Sequence, residues 1–171
     1  MEIKILNQNE IEKQSHLIKK SHILISVYSP SGKKAKLRKN PHRLSTLFVV
    51  FSDIDKLVNY SKDILFTELM AREILNFFEK FKDNIEMLII NCESGISRSA
   101  AIGAALMYIM EKDDKEIFKK YIPNRFVYRT ILNEYYSNKY CKCKKNDEKL
   151  YFDSDKIKLI KRCSICKRNI K

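Results

Sequence analysis

Glycine, proline and tryptophan are scarce in this 171-residue chain, which has three, three and none of them. A chain so short of turn and linker residues holds no low-complexity segment, and no stretch of it repeats another. No run of about eighteen apolar residues occurs, which excludes a membrane-spanning helix. The N-terminus, Met1-Glu2-Ile3-Lys4-Ile5-Leu6-Asn7, lacks the basic-then-apolar layout of a signal peptide and reads as a strand. A cytoplasmic protein is expected. Histidine is sparse too, and His16, His22 and His42 stand at spacings that suggest no metal site; they read as surface residues or satisfied core histidines. Acidic residues are outnumbered, 21 against 34 Lys and Arg, for a formal charge of +13. The imbalance is local, because from Asn138 to the end there are 12 basic and 4 acidic residues. The wording, rich in Lys, Ile and Asn, also fits an AT-rich coding sequence, so charge alone assigns no partner.

What the chain does contain is concentrated in one stretch. Ile85-Glu86-Met87-Leu88-Ile89-Ile90 is a short apolar run, as for a central strand buried on both faces. Ala100 to Met110 is apolar nearly all round, as for a buried helix. Between them lies Asn91-Cys92-Glu93-Ser94-Gly95-Ile96-Ser97-Arg98-Ser99, with Cys92 and Arg98 six positions apart. Such a loop delivers backbone N–H groups onto a helix N-terminus, where an anion is stabilised. The same field favours thiolate at Cys92, and Arg98 can clamp two phosphate oxygens at once. Ser97 and Ser99 are placed to hydrogen-bond the thiolate or the loop, and Gly95 falls where the loop bends tightly. A buried strand, loop and helix with an incidental Cys and Arg explains the apolar flanks but not Ser-Gly-Ile-Ser-Arg-Ser.

This stretch resembles the signature loop of the cysteine-dependent protein tyrosine phosphatases, Cys followed by five residues and Arg-Ser/Thr. Its form is closest to the small dual-specificity group. The resemblance extends over roughly residues 1 to 137: Phe51-Ser52-Asp53 resembles the strand end that carries the general acid, and Pro123-Asn124-Arg125 the segment before the closing helix. One position departs, since the family usually has His before the Cys and here stands Asn91. Asn can still hydrogen-bond backbone, but it brings no imidazolium charge. The resemblance implies Cys92 as nucleophile, Arg98 and the loop from Glu93 through Ser94, Gly95, Ile96 and Ser97 as the phosphate cradle, and Ser99 as a partner of the thiolate. Asp53, thirty-nine residues before Cys92, is the first choice for general acid and Asp55 the reserve; an ordinary acidic turn capping a strand is the alternative for both. The chemistry requires neither cofactor nor catalytic metal.

Apolar periodicity gives strands over 1–7, 22–28, 45–51 and 85–91, and helices over 9–20, between Lys62 and Lys82, over 97–111, around Ile117–Ile122, and after Asn124 as N-cap. Ser29-Pro30-Ser31-Gly32 reads as a turn, followed by a basic run from Lys33 to Lys39. Strands alternating with helices predict an α/β fold with a central, mostly parallel sheet flanked by helices, its ligand site at the carboxyl ends of the strands. Two domains are expected: a catalytic one over 1–137 and a basic tail over 138–171. Tyr135 and Tyr136 read as packing residues.

The tail holds Cys141-Lys142-Cys143 and Cys163-Ser164-Ile165-Cys166, with a potential hairpin between the pairs. Cys141, Cys143, Cys163 and Cys166 resemble the ligand set of a zinc ribbon, in which structural zinc supplies the folding energy of a segment too small for a core. A redox pair or a lysine-rich disordered tail is the alternative. The function expected is a protein phosphatase of tyrosine or dual specificity, acting on phosphotyrosine and also phosphoserine or phosphothreonine proteins through a phosphocysteine. The alternatives are an RNA 5′-phosphatase or triphosphatase that holds RNA or another polyanion on the basic tail, and a non-catalytic phosphate-binding module. No membrane partner is expected.

Overall fold

The computed structural model describes residues 1–54, 63–139, 148–153, 158–163 and 169–170, with side chains up to residue 137. The chain divides into two compact units, Met1–Leu132 and Asn133–Lys171.

In the first unit β1 (Glu2–Asn7), β2 (His22–Tyr28), β3 (Arg43–Val50) and β4 (Met87–Cys92) form one sheet in the order β1-β4-β2-β3. All three pairings are parallel, as the alternation of strands and helices predicts. Every residue of β4 is buried, as is β2 from His22 to Val27, which is why both read as near-continuous apolar runs. Two-residue alternation sorts β4 into two faces. Met87 and Ile89 join Leu6, Ile11, Leu24 and Ala35 on one side. Leu88, Ile90 and Cys92 point to the other, where α3 (Arg98–Ile109) packs across β1, β4 and β2. Helix α3 is buried without interruption from Arg98 to Leu106.

Helix α1 (Gln8–Gln14) starts on a capping box: Asn7 Oδ1 accepts from Glu10 N at 2.9 Å, and Asn7 N donates to Glu10 Oε2 at 2.8 Å. It stops six residues before the expected end at Lys20. The cause is distant in sequence: Asn40 Nδ2 donates to Ser15 O at 2.7 Å and Ile18 O at 2.9 Å, claiming carbonyls at the turn where the helix would continue. Helix α2 (Glu68–Phe81) begins later than its apolar period suggests, because Thr67 caps it by accepting from Met70 N at 3.3 Å. Helix α4 (Lys115–Lys120) is short, and α5 (Arg125–Lys139) follows Asn124, whose Oδ1 accepts from Val127 N at 3.0 Å. Among the described residues no helix is long and apolar enough to cross a membrane.

The second unit contains an antiparallel sheet, β5 (Glu148–Asp153), β6 (Lys158–Cys163) and β7 (Asn169–Ile170), in that order. The hairpin anticipated between the cysteine pairs is β5–β6, with Tyr151 opposite Ile160. Cys141, Cys143 and Cys166 lie outside the described residues, as does Asp55, and Cys163 is described by its backbone alone. Among the described residues no group of three or more His, Cys, Asp or Glu is placed to hold a metal ion.

Candidate active site

The site forms at the carboxyl end of the sheet, where a parallel α/β fold places its ligands. Strand β4 ends at Cys92, the chain turns through Glu93–Ser97, and α3 begins at Arg98. Gly95 makes the turn possible on two counts: its φ is +72°, and a Cβ there would come within 2.7 Å of Asn7 N and 2.9 Å of Leu6 C. The loop is thus folded down onto the end of β1, and Gln8 N donates to Glu93 O at 3.2 Å to hold it there. Gly95 N donates to Cys92 Sγ at 3.2 Å, and Ser99 Oγ lies 3.0 Å from the same sulfur. Cys92 and Ser99 are fully buried. A thiolate at this position accepts from both donors. Gly95→Ala is expected to destabilise the fold by about 1–3 kcal/mol and to abolish tungstate binding; a urea melt and calorimetry check the two effects.

Arg98 is only 3 % exposed. Its Nη1 donates to Ser29 Oγ and to Phe51 O, each at 2.9 Å, and its Nη2 donates to Glu93 Oε2 at 2.9 Å. Among the described residues Nε has no hydrogen-bond partner; Asp53 Oδ2 stands 3.9 Å away. Ser29 Oγ in turn donates to Glu93 Oε2 at 3.1 Å. Burial pushes the Glu93 carboxyl up, but hydrogen bonds from Arg98 and Ser29 outweigh it and hold the group below its usual value.

Asp53 Oδ1 accepts from Ser97 Oγ at 2.8 Å and from Asn124 Nδ2 at 2.9 Å. Asn124 also donates through Nδ2 to Ile54 O at 3.2 Å and through its backbone N to Ser97 O at 3.3 Å. One buried amide thereby ties together the loop of Asp53 and Ile54, the loop from Glu93 to Ser97 and the cap of α5. Ser97 corrects an expectation: its hydroxyl serves Asp53, not the sulfur, and so makes no cap bond to α3. The first N–H groups of that helix are left without a side-chain cap.

The structure therefore brings Cys92, Glu93, Gly95, Ser97, Arg98, Ser99 and Asp53 together, while the side chains of Ser94 and Ile96 are exposed on the loop. Asn91 precedes the sulfur at the end of β4. Its side chain faces away from Cys92 by strand alternation, and its buried Oδ1 accepts no hydrogen bond among the described residues. Such an acceptor costs about 1–3 kcal/mol, and nothing in its placement helps the sulfur. Ser29, the Phe51 carbonyl and the second role of Asn124 were not legible in the sequence. Only the turn around Ser29 had a signal, and it is present, with Gly32 N donating to Ser29 O at 2.8 Å.

No protein-family model matches the chain, and no curated protein matches it. Solved structures share its fold. PTPMT1 in complex with PI(5)P superposes with a TM-score of 0.52 at 12 % identity, covering 80 % of this chain and 91 % of that one. A mouse putative dual-specificity phosphatase complexed with zinc tungstate gives 0.52 at 16 % identity over 75 % and 78 % of the two chains. Human DUSP28 gives 0.49 at 13 % identity over 80 % and 92 %. The parallel four-stranded sheet with its helices is a dual-specificity-phosphatase-like fold.

Proposed function

We propose that the chain hydrolyses phosphomonoesters on proteins, with tyrosine or dual specificity, through a phosphocysteine intermediate. One observation carries the reading. Six positions after the buried, doubly hydrogen-bonded Cys92 sulfur, the loop returns a buried guanidinium whose Nε–H is unpartnered among the described residues, with the Asp53 carboxylate beyond it. A buried cationic donor left unpaired is costly, and an oxyanion on it removes the cost. The Cys92 thiolate attacks phosphorus, forming the S–P bond as the P–O bond to the alcohol breaks. Asp53, protonated for this step, gives its proton to the departing oxygen. It then takes a proton from the water that attacks phosphorus and breaks the S–P bond. Arg98 and the loop amides hold the equatorial oxygens throughout.

Turnover of a phosphotyrosine peptide, a phosphoserine peptide, PI(5)P and a 5′-triphosphorylated RNA, measured side by side, tests the assignment. The peptides are expected to be hydrolysed. Preference for the RNA would move the reading to an RNA 5′-phosphatase, and preference for PI(5)P to a lipid phosphatase. Tungstate binding without turnover of any of them would leave a phosphate-binding module.

Two further outcomes are expected. Asp53→Asn lowers kcat roughly 10²- to 10⁴-fold on a poor leaving group and far less on an activated aryl phosphate that departs without a proton. Equal losses on both would take the acid role from Asp53. For the tail, the sequence pairs Cys141, Cys143, Cys163 and Cys166 are proposed to bind one structural zinc per chain, which elemental analysis of unchelated protein checks. Cys163→Ser is expected to lose the metal and leave small-substrate turnover intact.

A further inference from the structure

Three hydrogen bonds close a ring at the mouth of the site: Arg98 Nη1 to Ser29 Oγ, Ser29 Oγ to Glu93 Oε2, and Arg98 Nη2 to that same Oε2. A guanidinium carries five N–H groups in a rigid plane. Both on Nη1 are engaged, by Ser29 and by the Phe51 carbonyl, and Glu93 engages one on Nη2. The Nε–H and one Nη2–H remain. Nε is buried and unpartnered among the described residues, so the donors those residues leave free include the pair a tetrahedral oxyanion meets in bidentate fashion.

Something must fix the plane so that these two donors are the free ones. The Phe51 carbonyl anchors only one end of the fork. Asp53 Oδ2 stands 3.9 Å from Nε and is the carboxylate to which a released guanidinium would turn. Glu93 holds the opposite end of the fork against that rotation. Its own position is set by Ser29 and by Gly32, where a Cβ would collide with Glu93 Oε1. Gly32 is not in the left-handed region, so the collision and not backbone strain is what the missing side chain avoids.

We infer that Glu93 is a positioning residue, held by the turn Ser29–Gly32, that orients Arg98 so its Nε and Nη2 donors face the oxyanion. The inference rests on the phosphate-site reading but not on turnover. Its rival is electrostatic: a carboxylate about 3 Å from the guanidinium simply repels and competes with the anion. The two differ in sign.

Tungstate and inorganic phosphate affinities of the full chain, measured by calorimetry, decide between them, with circular dichroism melts confirming that each variant is folded. Glu93→Ala is expected to weaken binding about tenfold, the scale of one charge-assisted hydrogen bond. Glu93→Gln, whose amide oxygen can accept both bonds, is expected to stay within about threefold of the parent chain. Gly32→Ala removes no polar group yet displaces the carboxylate, so it should weaken binding several-fold alone and add almost nothing to Glu93→Ala. That non-additivity is what a merely structural role would not produce. Unchanged or tighter binding in Glu93→Ala, or additive losses in the double variant, would overturn the inference. So would the absence of any oxyanion binding by the parent chain. If the parent binds tungstate but turns over no phosphomonoester, the enzymatic reading fails and the affinity cycle still decides the role of Glu93.

Discussion

Serine in place of Cys92 is expected to lower aryl-phosphate turnover roughly 10⁴- to 10⁶-fold while tungstate affinity changes by no more than a few-fold. The asymmetry follows from the separation of two jobs. Nucleophilic attack needs an ionised atom at the end of β4, and a hydroxyl stays protonated where a thiol ionises. Anion binding needs the loop amides, the first turn of α3 and Arg98, and a serine hydroxyl can still accept from Gly95 N and pair with Ser99 Oγ as the sulfur does. Because the residue is fully buried and the replacement is smaller, the loop has no cause to move. Parallel turnover and calorimetry on the same preparation provide the check. Full activity in the serine variant would remove the phosphocysteine mechanism altogether, and loss of tungstate binding would mean that the sulfur itself organises the cradle.

Arg98→Lys is expected to cut kcat/KM roughly 10²- to 10³-fold. A lysine ammonium is a point charge on a flexible stem and cannot reproduce a planar fork. It cannot reach Ser29, the Phe51 carbonyl and Glu93 together while presenting two donors to an oxyanion. The buried Phe51 carbonyl would lose its donor, which adds a stability cost of about 1–3 kcal/mol. The measurement is kcat/KM alongside a urea midpoint, so that lost chemistry and lost stability are separated. Retention of most of the activity would show that positive charge alone suffices and that the fork is not used in bidentate fashion.

The sequence carried the parts of this site that depend on neighbours in the chain. The strand from His22 to Tyr28, the buried β4 and the buried α3 follow from apolar periodicity. The Cys92-to-Arg98 spacing, with Gly95 between, is a local pattern read directly. Asn124 as a helix cap is local as well. What was hidden depends on residues meeting across the fold. Helix α1 stops early because Asn40 reaches back to Ser15 and Ile18, and no period within 9–20 announces that. Ser97 turns to Asp53 and Glu93 turns to Ser29 because strand ends far apart in sequence converge at the carboxyl end of the sheet. The start of α2 at Glu68 is set by the Thr67 cap and not by the apolar period that places a helix between Lys62 and Lys82.

The order β1-β4-β2-β3 sets the sequence in which this site can assemble. Among the described strands β1 pairs with β4 alone, so Glu2 waits for Met87 as its partner in the sheet. Asn124 joins Asp53 across 71 residues. Contacts of such long reach are closed only after a large entropic cost has been met, and they slow folding. During synthesis the loop carrying Cys92 emerges well before the amide that steadies it. A nascent chain can hold Cys92 without yet holding Asp53 in place. Under the proposed mechanism, catalytic competence is a property of the finished domain, arriving only when the segment around residue 124 has docked against a sheet that the N-terminal strand has already joined.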